Sequence, residues 1–214
     1  MVNGLWIMMI NKNVLKYRFI LLLLSCAIVI ACEDSSQKTI IPRECEFQEG
    51  DIVFRRGKGI NSKAVLYADG GLYSHVGIVV EYQGRKMIIH SVPWEQEHKD
   101  DEDKMKMDSI KGFFSHERAV VGAICRPIDS LVCKQSAKYA IELFHNGILF
   151  DHDYDSSDTS KLYCTELLTF IYKKCGRKLV ESDGHDVNFP LIKHKVILPS
   201  DIYNSKQLKL IRKF

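Results

Sequence analysis

The sequence predicts an α+β fold in which an antiparallel sheet packs against helices. Residues 74–91 are typical of a β-hairpin, because two runs rich in β-branched residues flank a turn at Gln83-Gly84. Residues 119–126 (AVVGAICR) are typical of a buried strand. Residues 163–175 repeat apolar side chains at helical spacing and are followed by a glycine. Strands close in sequence and separate helices together favour the α+β class.

Size and composition exclude several classes of protein. The chain has 214 residues, of which 46% are hydrophobic and 27% charged, with a formal net charge of +3. These values are ordinary for a globular protein of one domain or a tight pair. No basic tail or basic-aromatic stripe is present, so nucleic acid is not an expected partner.

The N-terminus has the pattern of an export signal. Three basic residues between positions 12 and 18 precede an apolar run over 19–31. Thirteen residues are short for a membrane span, which needs about 20, but suit the apolar part of a signal peptide. The run ends at Cys32 and resembles a bacterial lipobox, in which the cysteine is lipidated and becomes the first residue. An ordinary signal peptide followed by a chance cysteine is the alternative.

This pattern divides the chain into three parts. We expect a signal peptide over 1–31, a lipid-anchored tether over 32–46 and a folded domain over 47–214. The expected location is the bacterial cell envelope, on the exported side of a membrane to which Cys32 anchors the protein. Five further cysteines remain in such a mature chain, and their pairing is left open.

Other elements follow from local patterns along the chain. The acidic run 151–158 lacks the glycine and glutamate that an EF-hand needs, so a polar loop is expected there. The remaining expectations are a strand at 50–54, a helix at 61–68, a charged solvated loop or lid at 94–108, a helical turn at 109–114, a helix from 129 or 130 to about 146, and a strand near 208–211.

The hairpin turn fixes which side chains share a face. A turn at Gln83-Gly84 pairs Glu81 with Lys86, and the same register sets Gly77 opposite His90. Side chains alternate along a strand, so His75 and His90 lie on one face as diagonal neighbours, about 7–8 Å apart at the backbone.

Cys164 is predicted to lie in the first turn of its helix. Free backbone N–H groups and the positive end of the helix dipole lower a thiol pKa there, and the same groups can bind an oxyanion. If this helix packs on the histidine face, His75 and His90 can activate the thiol. The alternative is structural, since a cysteine on an apolar helix face is usually a small core residue.

Four motifs together resemble the YiiX/YebB-like cysteine hydrolases, a circularly permuted branch of the NlpC-type, papain-like superfamily. The motifs are Gly-Asp-Ile-Val-Phe (50–54), Tyr-Ser-His-Val-Gly-Ile-Val (73–79), Ile-His-Ser-Val-Pro (89–93) and Leu-Tyr-Cys-Thr-Glu-Leu (162–167). As in that family, the histidine precedes the cysteine. The resemblance implies a permuted papain-like fold.

The resemblance also implies roles for individual residues. Cys164 is the nucleophile and His75 the general base, while His90 takes the third position. Some relatives carry glutamate at that position. Independently of the resemblance, strand alternation places Glu81 on the same face but nearer the turn, and it is a reserve candidate. Tyr163 precedes the nucleophile and is expected to shape the substrate cleft.

The function implied is hydrolysis of an amide bond through a thioacyl-enzyme, with no cofactor and no metal. Short peptides or cell-wall peptides, including those derived from peptidoglycan, are the expected substrates. Three alternatives stay open. The same site could transfer or hydrolyse lipid acyl groups, two histidines and one cysteine could bind zinc, or the domain could be a non-catalytic binding module on the cell surface.

Overall fold

A computed structural model of the chain describes residues 38–95, 102–187, 192 and 194–214. Cys32 and the predicted signal peptide over 1–31 lie outside these residues. Residues 38–214 form one compact unit. No helix in the described part is both long enough and apolar enough to cross a membrane.

The fold is α+β, as the sequence predicts. All strand pairs in the six-stranded sheet are antiparallel, and the strand order is β4-β3-β2-β1-β5-β6. The strands are β1 (Ile52–Arg56), β2 (His75–Tyr82), β3 (Arg85–His90), β4 (Lys106–Ser109), β5 (Val121–Pro127) and β6 (Leu208–Lys213). The described helices are α1 (Ile60–Asp69), α2 (Ile110–Phe113), α3 (Ser130–His145), α4 (Cys164–Lys174) and α5 (Pro199–Tyr203).

The β2–β3 hairpin has the predicted register, with Glu81 opposite Lys86. Both central turn residues have positive φ, 50° at Gln83 and 72° at Gly84. Two such residues make a turn whose twist matches that of the flanking strands. The turn therefore fixes the register that brings His75 and His90 together.

Two apolar layers cover the two faces of the sheet. Helices α3 and α4 pack on the face that carries Val76, Ile78 and Val80. The opposite face carries Val79 and Ile88 and packs against α2 and neighbouring aromatic residues. Because side chains alternate along β2, His75 lies on this second face, away from α4.

The prediction of a loop over 94–108 is wrong for the last residues of that range. Residues from Lys106 onward form β4, which pairs with β3 so that Ile88 faces Asp108 and His90 faces Lys106. An edge strand has one solvated side and tolerates charges, so its composition resembles that of a loop. Helix α5 has no counterpart in the sequence prediction.

Part of the segment assigned to the tether, 32–46, packs against the domain. Thr39 pairs with Ser115, and the Ile40 N–H donates to the Phe114 carbonyl at 3.1 Å. Ile40 and Ile41 contact the apolar layer around Phe114. The folded unit therefore includes residues well before position 47.

Candidate active site

Cys164 is the first residue of α4, as predicted, and Tyr163 is the residue that caps it. The Glu166 carboxylate accepts the Tyr163 N–H at 3.4 Å, which fixes the chain where it enters the helix. Cys164 is partly buried and lines a cavity of about 310 Å³. His75, Arg55 and Tyr163 line the same cavity.

His75 and His90 are in direct contact, as the hairpin register predicts. His75 Nε2 lies 2.9 Å from His90 Nδ1, and the rings meet edge to face. The Phe113 ring packs against both imidazoles, with centroid distances of 5.7 Å and 5.1 Å. Both histidines are buried, and His90 is fully so.

Helix α4 and the two histidines lie on opposite faces of the sheet. The sequence analysis expected the histidines to activate the thiol if the helix packed on their face, and it does not. They meet instead at one end of the sheet, where β2 begins at His75 and α4 begins at Cys164. There the backbone N–H of Val76, the residue after His75, acts to lower the pKa of the Cys164 thiol. His75 and Cys164 therefore line the same cavity although they lie on different faces of the sheet.

Two charged residues that the sequence analysis did not select extend the histidine pair. His90 Nε2 lies 3.1 Å from Asp108 Oδ2, and Arg118 donates to the same oxygen at 2.6 Å. Asp108 belongs to β4 and pairs with Ile88 of β3. Asp108 is therefore a diagonal neighbour of His90 on the same face of the sheet. Because 94–108 was predicted to be a loop, the sequence analysis did not place Asp108 beside His90.

A buried arginine lies next to these groups. The Arg55 guanidinium donates to the Phe113 carbonyl at 3.0 Å and to Glu95 at 2.9 Å, and it stacks on the Phe113 ring at 4.5 Å. Its side chain is 4% exposed. Arg118 approaches the other Glu95 oxygen at 3.5 Å. Two arginines and two carboxylates therefore balance their charges around the histidines.

Burial keeps both the thiol and the imidazoles neutral. It raises the pKa of Cys164 to about 11, although the N–H groups of Val76 and Thr165 act in the opposite direction. This reverses the lowered pKa that the helix position alone predicts. Burial and the charge of Arg55 hold the pKa of His75 well below its usual value. These shifts favour a neutral thiol and a neutral imidazole as the resting pair.

Asp108 is ionised in the same surroundings. Burial alone would raise its pKa, but the hydrogen bond with His90 and the charge of Arg118 hold that pKa at about 2. Burial lowers the pKa of His90, although its bond to Asp108 acts in the opposite direction.

The other two candidates lie in different surroundings. Glu81 is exposed near the hairpin turn, opposite Lys86, and does not line the cavity. Tyr163 is buried and lines the cavity, and its hydroxyl accepts the Ile197 N–H at 3.1 Å. Tyr163 therefore joins the start of α4 to the segment around Ile197, which also lines the cavity.

No protein-family model and no curated protein matches the chain. Among solved structures, the chain is similar to YiiX from Escherichia coli O157:H7, described as a metalloprotein of the group DUF1105. The TM-score is 0.62 at 19% sequence identity, over 78% of this chain and 97% of YiiX. This likeness shows that the two proteins share a fold.

Proposed function

We propose that the protein is a cysteine hydrolase with a permuted papain-like fold that cleaves an amide bond through a thioacyl-enzyme. One observation carries the proposal: Cys164, at the start of a helix, lines one cavity with His75, which is hydrogen-bonded to His90. A nucleophile, a base and a group that orients the base are the parts such a reaction needs.

In the proposed reaction, Cys164 Sγ attacks the carbonyl carbon while His75 takes the thiol proton. Because His75 Nε2 is engaged by His90, Nδ1 is the nitrogen that accepts this proton. His75 then protonates the leaving amine as the C–N bond breaks, which leaves a thioester on Cys164. Water, deprotonated by His75, attacks the thioester, and the acid and the thiol are released.

The start of α4 and the adjacent strand provide donors for the oxyanion. The backbone N–H groups of Cys164, Thr165 and Val76 each act to lower the pKa of the thiol, which indicates that they lie near the sulfur. At the start of a helix such groups have no intrahelical partner. Donors fixed in this way stabilise the tetrahedral intermediate more than the substrate.

Among the described residues, the two histidines and Cys164 do not fit a zinc site that uses all three. Two imidazoles on one tetrahedral zinc hold their ligating nitrogens about 3.3 Å apart, since each Zn–N bond is about 2.0–2.1 Å. Here His75 Nε2 and His90 Nδ1 point at each other at 2.9 Å, and His90 Nε2 is taken by Asp108. YiiX is described as a metalloprotein, but the reaction proposed for this chain uses no metal.

A second candidate function is transfer or hydrolysis of acyl groups. An adjoining cavity of about 290 Å³ shares part of its wall with the Cys164 cavity. Its lining is mostly apolar and includes Val65, Trp94, Phe150 and Leu198. A long acyl group on the thioester would find apolar contacts there. Added amine or alcohol acceptors would separate transfer from hydrolysis, since only transfer gives a new amide or ester.

Acylation of the thiol tests the proposal directly. Protein that starts after Cys32 would be treated with p-nitrophenyl acetate and followed by mass spectrometry, and then screened against short peptides and cell-wall peptides. We expect acetyl-Cys164 to form and turn over, with a rate lower by about 10²–10⁴-fold in His75→Ala.

Matched variants separate this effect from general damage. Cys175→Ala and His145→Ala change the same residue types away from the cavity and should react at the wild-type rate. If Cys164→Ala leaves acylation and peptide cleavage unchanged, the hydrolase proposal fails. A domain that is never acylated but still binds cell-wall peptides would instead be a binding module.

We further propose that the protein is exported and anchored in the bacterial cell envelope through a lipid on Cys32. The support is the sequence pattern over 1–32 alone. Cells grown with a labelled fatty acid should yield labelled protein, and Cys32→Ser should abolish the label. Label retained in Cys32→Ser would rule out this anchor.

A further inference from the structure

We propose that Asp108, held by Arg118, fixes the tautomers of both histidines and leaves His75 Nδ1 without a proton. Asp108 is then a positioning residue that acts through His90 rather than on the substrate. This inference rests on the proposed function only in giving His75 the role of base. The tautomer itself is a property of the free protein.

Asp108 lies at the outer end of the chain of hydrogen bonds that leads to His75. One oxygen of Asp108 accepts from Arg118 at 2.6 Å and lies 3.1 Å from His90 Nε2. An ionised carboxylate can only accept hydrogen bonds, and a guanidinium can only donate. The hydrogen bond between His90 and Asp108 therefore requires a proton on His90 Nε2.

The proton on His90 Nε2 determines the direction of the hydrogen bond between the two histidines. A neutral imidazole with a proton on Nε2 has a lone pair on Nδ1. His90 Nδ1 lies 2.9 Å from His75 Nε2, so His75 Nε2 must donate. A neutral His75 with its proton on Nε2 keeps the lone pair on Nδ1, where a base needs it.

The groups packed around the two rings support this direction. Phe113 contacts both imidazoles and offers no acceptor from its ring. Arg55 is the charged group whose field reaches both histidines, and it opposes a proton on either. Glu95 is engaged by Arg55 and Arg118. Asp108 is thus the carboxylate in contact with the pair.

Loss of Asp108 would reverse the hydrogen bond between the histidines. In Asp108→Ala, Arg118 loses an acceptor and can donate to His90 Nε2 instead. His90 would then carry its proton on Nδ1 and donate to His75 Nε2, which moves the His75 proton to Nδ1. The penalty for a buried N–H without an acceptor favours this reversed arrangement by about tenfold.

The test is a ¹⁵N NMR measurement of imidazole tautomers in protein labelled at histidine, with His75→Gln and His90→Gln to assign the signals. Wild-type His75 should be the Nε2–H tautomer, and Asp108→Ala should convert most of it to the Nδ1–H tautomer. Asp108→Asn keeps an oxygen between Arg118 and His90, so it should retain the wild-type tautomer. Acylation of Cys164 by p-nitrophenyl acetate should slow at least about tenfold in Asp108→Ala and recover in Asp108→Asn.

The two readouts separate two kinds of failure. Wild-type His75 with its proton on Nδ1, or an unchanged tautomer in Asp108→Ala, overturns the role of Asp108. The wild-type measurement stands even if Asp108→Ala does not fold. The expected tautomers with no acylation of Cys164 would support the role of Asp108 and count against the hydrolase.

Discussion

Gly77 makes room for His90, and replacing it with alanine should disturb both the sheet and the site. A Cβ at position 77 would lie 2.7 Å from Ile88 Cγ2, 3.0 Å from the Ile89 carbonyl oxygen and 3.2 Å from His90 Cβ. Ordinary contacts between carbon atoms are about 3.5–4.0 Å. The Ile88 methyl group can move, but the other two atoms belong to the β2–β3 ladder or hang directly from it.

The size of the effect follows from this crowding. One extra methyl group in a well-packed interior costs about 1–3 kcal/mol. For a domain of this size, a loss of about 2 kcal/mol lowers the melting temperature by about 4–8 °C. The strain lies beside His90, so the 2.9 Å contact between His75 and His90 should lengthen. Acylation of Cys164 should therefore slow as well.

Urea denaturation and acylation by p-nitrophenyl acetate measure the two effects. Gly59→Ala is the matched control for stability, because Gly59 has a φ of −72° and a Cβ there meets no atom within 4 Å. Wild-type stability and wild-type acylation in Gly77→Ala would refute the argument that this position is reserved for the histidine pair.

Three further predictions follow from the charges. Because burial raises the pKa of Cys164 to about 11, its alkylation by iodoacetamide should accelerate about tenfold per pH unit between pH 7 and 10; a plateau below pH 7 would contradict the neutral resting pair. Asp51 is buried and accepts from Arg126 at 2.7 Å and 3.0 Å, so Asp51→Ala should lower the free energy of unfolding by about 3 kcal/mol in urea titrations, whereas a change below about 1 kcal/mol would show the pair to be dispensable. Asp108 has a pKa of about 2 in the fold, below its usual 3.8, so its stabilising contribution is complete above about pH 5 and is lost as the pH falls toward about 2; acid titration of Asp108→Asn should lack about 2 kcal/mol of this loss.

The parts of the site that sequence predicts well are those set by local geometry. The Gln83-Gly84 turn fixes the hairpin register, and the register alone sets His75 beside His90. In the same way, helical spacing places Cys164 in a first turn. Both rules act over fewer than twenty residues, where strand alternation and helix periodicity leave little freedom.

Features that depend on distant pairing escape such rules. Asp108 belongs to an edge strand whose charges resemble those of a loop, and only its pairing with β3 brings it to His90. Which face α4 covers is likewise a matter of tertiary packing. The pKa of the Cys164 thiol could not be predicted from local sequence for the same reason. The start of a helix lowers this pKa, but burial, which depends on tertiary packing, raises it by a larger amount.

A neutral resting pair changes how Cys164 would be activated in the proposed reaction. A thiolate and an imidazolium would place two charges in a buried site already crowded by Arg55, and burial disfavours both. Proton transfer from Cys164 to His75 then becomes favourable only as charge develops on a substrate carbonyl that backbone N–H groups can bind. A thiol adds to the carbonyl carbon of a peptide aldehyde, so negative charge develops on the carbonyl oxygen. With iodoacetamide the thiol attacks the carbon that bears iodine, and no oxyanion forms. We therefore expect the aldehyde to modify Cys164 far faster than iodoacetamide at pH 7, with a preference that disappears in His75→Ala. Equal preference in the two proteins would show that the thiol reacts without help from the imidazole.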